Sequence, residues 1–393
     1  MCRISKKTNY SRLDLFYKIT HYSENLINLF ILHKKLYTIY LKKKKAKRGT
    51  YAVILLIIAF IAFLFLRDFG VTEDKNEKQP EIVVLSEKIK NDPTNTDLLF
   101  ARANYNKGKN NLESALFDLN QCVQLDSLNN AFHFSVAEIY FELSKKTNAD
   151  GKHPSLAKHH LDKALKLNVN DEKSHALLGE LLLAYAKYKE AIEHFNASLK
   201  IEYNQAKTHM LMGYAFKQLG QEDNAINCFR NSVNVDPEFK EAFVQLGQMF
   251  HVKGDTTAVV YYDNALQLDP ADEMTLYNKA LFYQSIMQWN AALEVYADLH
   301  KVNAFHSSGH YNIGFIHMEL GLYDVAANNF SDAIYGNSEF YEAYYSRGNC
   351  FETLGNIAQA EVDYKRAIEI NSDYTFAIDA LKALDLRNKK FRK

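Results

Sequence analysis

The sequence has few of the features that mark an enzyme or a disulfide-bonded protein. Its four cysteines, Cys2, Cys122, Cys228 and Cys350, lie in different parts of the 393-residue chain, which is not the spacing of a disulfide framework. It has no glycine-rich phosphate loop, no Gly-x-Ser-x-Gly elbow and no His-Glu-x-x-His pair. These absences predict a protein that is not an enzyme, with no cofactor and no small-molecule substrate.

The chain also lacks net charge, but its charges are unevenly distributed. It has 47 Lys and Arg against 47 Asp and Glu. Residues 1–48 hold 13 Lys and Arg and only two acids, Asp14 and Glu24, a net charge of +11. The rest of the chain has 34 basic and 45 acidic residues, a net charge of −11. Because duplex binding requires a basic surface, we expect no nucleic-acid partner.

Alanine recurs with a regular period through most of the chain. From Ala191 to Ala360 the successive steps are 34, 33, 34, 34 and 34 residues. The full series is Ala115, Ala157, Ala191, Ala225, Ala258, Ala292, Ala326 and Ala360. In seven of the eight units a small residue precedes the alanine by twelve positions, and in the second unit Ala137 precedes Ala157 by twenty. A period of this length is typical of a solenoid of stacked units.

Each unit has the internal spacing of two helices. Four residues after the alanine comes a large apolar residue, as at Phe229 and Tyr262, and seven after it the residue is again mostly small. Steps of four and seven fall on one face of an α-helix. Four units have a glycine between their halves, at Gly220, Gly254, Gly321 and Gly355. The pattern predicts helix, turn, helix, with close approach where small residues meet.

These positions resemble the tetratricopeptide repeat, and residues 214–237 (YAFKQLGQEDNAINCFRNSVNVDP) are a close example. The resemblance covers residues 96–374 in eight repeats. Their predicted bounds are 96–129, 130–171, 172–205, 206–239, 240–272, 273–306, 307–340 and 341–374. The resemblance implies an all-α, right-handed superhelical solenoid that serves as a scaffold for a protein or peptide partner.

Both ends of the solenoid are predicted to be capped, since terminal repeats otherwise expose an apolar face. A lone helix is expected within residues 81–95. A closing helix with a basic tail is expected over residues 375–393, with Phe376, Ala380 and Leu384 facing inward.

The resemblance also implies where a partner binds, because first helices line the concave surface in this family. We take as reference the position four residues before the first small residue of each repeat. Side chains one, five and eight positions after it are expected to face the groove. The predicted partner-binding residues are Phe100, Phe134, Met210, Tyr214, Tyr277, Leu281, Tyr311, Phe315, Met318 and Tyr345. Aromatic grooves suit peptides; the alternative is that these rings only pack against adjacent repeats.

Histidine occupies the reference position in four repeats, at His133, His175, His209 and His310. A shared metal ion would need ligands at ~2.0–2.1 Å, whereas equivalent positions in neighbouring repeats should lie on the order of 10 Å apart. We therefore predict packing histidines and no metal site, and keep a metal- or ligand-binding protein as an alternative function. His159 and His160 are predicted to be solvated.

Residues 51–66 are sixteen uncharged residues, twelve of them Val, Ile, Leu or Phe. They span ~24 Å at ~1.5 Å per residue, and flanking cations can make up the difference from a ~30 Å hydrocarbon core. We predict a basic segment at 1–48, a transmembrane anchor at 49–68 and a linker at 69–80. Six cations at 42–45, 47 and 48 place the N-terminus in the cytoplasm and the repeats on the far side, which is the periplasm in a Gram-negative bacterium.

Two alternatives to this topology remain open. One is a cleaved signal peptide, although residues 65–75 contain no small-x-small cleavage site. The other is a cytosol-facing import or receptor protein, similar in layout to the membrane-anchored repeat receptor of mitochondria, which the charge asymmetry disfavours.

Overall fold

The computed structural model describes residues 81–146 and 151–391. Within these residues the backbone forms eighteen α-helices and no β-strand. The helices are α1 (Glu81–Asn91), α2 (Thr96–Gly108), α3 (Leu112–Leu125), α4 (Asn130–Lys146), α5 (Lys152–Leu167), α6 (Glu172–Ala184), α7 (Tyr188–Ile201), α8 (Ala206–Gln218), α9 (Glu222–Val235), α10 (Lys240–Val252), α11 (Thr257–Leu268), α12 (Glu273–Ser285), α13 (Trp289–Val302), α14 (Ser307–Glu319), α15 (Tyr323–Gly336), α16 (Tyr341–Thr353), α17 (Ile357–Ile370) and α18 (Thr375–Phe391).

Helices α2 to α17 form eight consecutive pairs, and each second helix also packs on the first helix of the next pair. First helices of neighbouring pairs contact one another, as α4 does with α6 and α14 with α16. Among the described residues, second helices make no comparable contact with each other. The first helices therefore lie on the inner side of the curve. The all-α solenoid predicted from the alanine period is confirmed.

The periodic alanines lie where the two helices of each pair cross, and all eight are fully buried. In five pairs the facing residue of the first helix is glycine. A Cβ added at Gly247 would lie 2.5 Å from Cε1 of Tyr262, and one at Gly179 would lie 2.6 Å from Cδ1 of Phe195. At these crossings the spacing of the helices therefore requires glycine, and the aromatic ring four residues after the alanine fills the remaining volume.

In seven of the eight pairs the two helices are joined by a short turn that contains a residue in the left-handed region. The four predicted glycines have φ between 65° and 81°. Asn110, Ala186 and Met287 take the same conformation in other repeats, with φ of 62°, 56° and 56°. In both kinds of turn the next amide reaches back to a first-helix carbonyl, as Gln221 N donates to Phe216 O and Gln288 N to Tyr283 O, both at 2.9 Å. The turn geometry is thus kept even where the residue has a Cβ.

Met287→Gly is expected to stabilise the protein by about 1 kcal/mol, because a residue with a Cβ is strained in this conformation. The Met287 side chain is 72% exposed, so its removal costs little packing. The measurement is the urea midpoint of unfolding. Met287→Ala is the matched control, since it removes the same side chain and keeps the strain. An equal gain in both variants would contradict the prediction.

The second repeat accommodates part of its extra eight residues in longer helices. Helix α4 has 17 residues, whereas the other paired first helices have 13. Helix α5 has 16 residues, whereas the other second helices have 12 to 14. Part of the insertion therefore extends both helices beyond the ordinary length. Phe141, in the last turn of the ordinary helix length, is buried in the core of repeats two and three.

The capping helices are present, with one correction. In α1, Ile89 is buried against Leu99 and Phe132. In α18, Leu384 is buried with Ala380 packed beside it, as predicted. Phe376 is not inward: it is 64% exposed, while Ala377 is fully buried. The inward face of α18 begins at Ala377 because Ala377 and Leu384, seven residues apart, share that face of the helix.

The first repeat and the last repeat each contain an Arg–Asp ion pair that was not predicted from the sequence. Arg347 donates from Nε and Nη2 to both carboxylate oxygens of Asp363 at 2.8 and 2.7 Å, and from Nη1 to Ser331 Oγ at 3.0 Å. Arg102 makes the same bidentate contact with Asp118, at 2.8 and 2.7 Å. These pairs tie first and second helices together at both ends of the solenoid.

The predicted anchor at 51–66, the basic segment at 1–48 and the linker at 69–80 lie outside the described residues. Among residues 81–146 and 151–391, no helix combines the length and apolar character that a membrane crossing requires. The three cysteines that the structure describes, Cys122, Cys228 and Cys350, are buried free thiols, as expected. Burial raises the pKa of the Cys228 thiol to about 12.

Candidate functional site

All ten predicted groove residues lie on first helices, where the inner side of the solenoid is formed. They are distributed over α2, α4, α8, α12, α14 and α16. Each of the ten is half-buried, so each presents part of its side chain at the surface. Whether they contact a partner stays a prediction. The side chains around them differ between the N-terminal and the C-terminal half of the groove.

The N-terminal half of the groove is crossed by ion pairs between neighbouring first helices. Lys107 Nζ lies 2.6 Å from Glu138 Oε2, and Lys207 Nζ lies 2.7 Å from Glu180 Oε2. The first pair lies beside a cavity of about 330 Å³ that Phe100 and Phe134 also line. In this half, charges of the chain itself neutralise each other across the inner surface.

The C-terminal half, over repeats six to eight, is aromatic. Tyr277 Oη accepts a hydrogen bond from Asn312 Nδ2 at 3.2 Å, which joins two repeats. The ring of Tyr311 lies 5.0 Å from that of Phe340, and the ring of Tyr345 lies 5.5 Å from that of Tyr374. Tyr277 therefore contacts the next repeat, whereas Tyr311 and Tyr345 pack on the residue that directly precedes the next helix, and all three remain half-exposed.

Leu281 and Phe315 occupy the second groove position in repeats six and seven and are half-buried. In the part of the chain that the structure describes, neither belongs to the buried clusters that hold Tyr277 and Tyr311. They are accordingly the groove residues with the least evident structural role.

Each of the four histidines at the reference position makes the same kind of hydrogen bond. In each, Nε2 donates to the backbone carbonyl six residues earlier, in the turn that precedes the repeat. The acceptors are the oxygens of Ser127, Val169, Tyr203 and Ala304, at 3.1, 3.1, 3.1 and 3.0 Å. A carbonyl only accepts, so Nε2 carries the hydrogen, and Nδ1 of the neutral ring has a lone pair.

Two of these histidines also pair with a histidine of their own second helix. Nδ1 of His133 lies 3.0 Å from Nδ1 of His160, and Nδ1 of His175 lies 3.0 Å from Nδ1 of His194. The prediction that His160 is solvated is wrong: it is half-buried and joined to His133. The signal in the sequence is a histidine three residues after the periodic alanine, which the analysis of the first helices did not consider.

Burial lowers the pKa of several of these imidazoles. The pKa of His160 falls to about 4, chiefly by burial and then by the nearby His133. Burial also lowers the pKa values of His133, His194 and His209. In the sixth and seventh repeats the rings of His300 and His310 stack at 3.8 Å, and burial lowers the pKa of His300 to about 4. The folded protein therefore favours neutral histidines at these positions.

Within residues 81–146 and 151–391, no group of three or more His, Cys, Asp or Glu side chains is arranged to hold a metal ion. The paired and stacked histidines instead join helices within and between repeats.

Two segments match family models of the tetratricopeptide repeat, residues 206–239 and residues 341–374. The chain therefore contains tetratricopeptide repeats. The two segments have the bounds expected for the fourth and eighth repeats, and in the structure they contain the pairs α8–α9 and α16–α17. Tetratricopeptide repeats make the chain a scaffold for protein–protein interaction.

Several solved structures of repeat proteins are similar to this chain. MamA from Desulfovibrio magneticus RS-1 is 21% identical over 45% of this chain and 96% of its own, with a TM-score of 0.40. YrrB, described as having an unusual peptide-binding site, is 20% identical over 50% and 97%, with a TM-score of 0.40. PilF from Pseudomonas aeruginosa is 15% identical over 53% and 92%, with a TM-score of 0.46. No curated protein sequence matches the chain.

Proposed function

We propose that this tetratricopeptide repeat protein is a non-catalytic, membrane-anchored scaffold that binds an apolar segment of a protein partner along repeats six to eight. The observation that carries the proposal is the contrast between the two halves of the groove. Lys–Glu pairs cross the first half, whereas half-exposed apolar side chains follow one another over three repeats in the second. Burial of such side chains by a partner is favourable at roughly 25 cal/mol per Å².

The groove is tested with the double variant Leu281→Ser and Phe315→Ser of the full-length protein. Both residues are half-exposed groove residues outside the clusters of Tyr277 and Tyr311, so the substitutions should leave the fold intact. We expect affinity for co-purified partners to fall by about 10-fold or more, as loss of central apolar anchors typically does. The measurement is quantitative recovery of cross-linked partners from cells that express each form.

The matched control is Val260→Ser with Val362→Ser. These residues are 57% and 65% exposed and lie on the second helices α11 and α17, away from the inner side. Their replacement removes similar apolar surface and should leave recovery unchanged. Equal losses of partner recovery in both double variants, or no loss in either, would contradict the proposal that the partner binds along repeats six to eight.

The anchor and its orientation rest on the sequence. The uncharged segment 51–66 and the cations before it favour a cytoplasmic N-terminus, with the repeats on the opposite side of the membrane. Protease added to intact cells or spheroplasts should therefore digest the repeats. Protection of the repeats until the membrane is lysed would favour the cytosol-facing receptor instead.

A further inference from the structure

We propose that the histidine pairs His133–His160 and His175–His194 make repeats two and three an acid-sensitive joint of the solenoid. Each pair ties a first helix to its own second helix, while Nε2 of the first histidine holds the preceding turn. On acidification the bond between the two rings is lost while the Nε2 bond to the preceding turn remains, and helices α4 to α7 open before the end repeats.

The hydrogen-bonding pattern fixes the protons of each neutral pair. Nε2 of His133 donates to the Ser127 carbonyl, so its Nδ1 is an acceptor. The hydrogen between the two Nδ1 atoms therefore belongs to His160. By the same argument His194 donates to His175. The neutral pair satisfies every nitrogen that it buries.

An added proton is unfavourable at either ring. On Nδ1 of His133 it places two N–H groups face to face across 3.0 Å, which breaks the bond. On Nε2 of His160 it keeps the bond but charges a half-buried ring. In the unfolded chain neither restriction applies, so protonation favours opening.

The charged and titratable neighbours make the first pair the more sensitive one. It is faced from α5 by Lys163 and His159, and the rings of Tyr140 and His160 lie 6.1 Å apart. The second pair is faced by Asp162 and Lys158 from α5 and by Glu193 from α7. Carboxylates stabilise a protonated imidazole, and among the described residues they do so for His194 of the second pair and not for His133 or His160.

The sign of the pH dependence follows from these protonation states. The pKa values of His133, His160 and His194 are lowered in the folded protein, that of His160 to about 4. Stability is therefore full above the unfolded value of ~6.5 and is lost as the pH falls from there towards 4.

The test is hydrogen exchange of the full-length protein at pH 7.5 and pH 5.0, corrected for the intrinsic exchange rate. Repeat eight contains no histidine and serves as the internal reference. Relative to α16 and α17, we expect exchange in α4 to α7 to rise at least about tenfold at pH 5.0, the effect of one pKa unit of differential protonation. Equal changes in both regions would overturn the proposal.

A matched variant is provided by the chain itself. Repeat six has Leu276 and Val295, both buried, at the positions of the paired histidines. The quadruple variant His133→Leu, His160→Val, His175→Leu, His194→Val should show no selective rise in α4 to α7. Persistence of that rise would contradict the proposal.

The imidazole ¹⁵N spectrum of the wild-type protein is an independent readout that does not depend on folding of the variant. At pH 7.5 it should show the Nε2–H tautomer at His133 and the Nδ1–H tautomer at His160. The opposite assignment, or ordinary titration of both rings near pH 6.5, would refute the proposed joint.

Discussion

Gly247→Leu is expected to lower the free energy of unfolding by about 3 kcal/mol, the upper end for overpacking a close contact. A Cβ at this position already lies 2.5 Å from the Tyr262 ring, which is itself fully buried and has nowhere to move. The two helices of repeat five must therefore separate. Urea unfolding followed by circular dichroism gives the measurement.

Because repeats contact only their neighbours, a lesion in the fifth of eight repeats should also uncouple the two halves of the solenoid. We expect the single wild-type transition to broaden or to divide into two. The control is Val252→Leu, which enlarges an 83% exposed residue of the same helix and should have an effect within about 0.5 kcal/mol. A small loss for Gly247→Leu would show that the crossing tolerates a wider spacing.

The crossing and the turns were predictable from the sequence because their constraints are local and recur. The alanines and the facing glycines recur with the repeat period, because each helix crossing has the same steric requirement. Positive φ at Gly220 and Gly254 was equally accessible, since glycine is the usual residue for that conformation. At Met287 the same geometry has no residue signature, and only the period marks it.

Contacts that depend on one particular side chain were not predictable in the same way. His160 was expected to be solvated because it was placed with His159 on a polar face, yet it faces His133 on another helix. Phe376 was placed inward on hydrophobicity, although the small Ala377 is the residue that fits against repeat eight. Apolarity alone does not distinguish a residue that fits a close helix contact from one that is too large for it.

The groove residues show a further limit of sequence reasoning. The period placed all ten on first helices, and the structure agrees. Sequence reasoning favoured the Tyr277–Tyr345 stretch for binding, but it did not distinguish the other half as one closed by Lys–Glu pairs. That distinction depends on pairing between residues some 27 to 31 positions apart, such as Lys107 with Glu138. Partner binding itself stays a prediction for all ten.

Asp363→Ala is expected to destabilise the C-terminal end by about 2–3 kcal/mol. The substitution leaves the Arg347 guanidinium, whose side chain is only 20% exposed, without its bidentate partner. An unpaired buried charge typically costs ~3–5 kcal/mol, and the remaining exposure of Arg347 reduces that figure. The loss should appear in thermal unfolding as an early transition of repeat eight and α18, because a terminal repeat has a neighbour on one side only.

The double variant Arg347→Met, Asp363→Leu separates the cost of an unpaired charge from the value of the pair. It removes both charges and keeps their volume, so most of the lost stability should return. Asp118→Ala, at the equivalent pair of repeat one, should produce a similar early transition at the other end. If the double variant is as unstable as Asp363→Ala, the pair contributes through its specific geometry rather than through charge compensation. In that case, Arg and Asp join the two helices of each terminal repeat by bidentate hydrogen bonds that an apolar pair cannot replace.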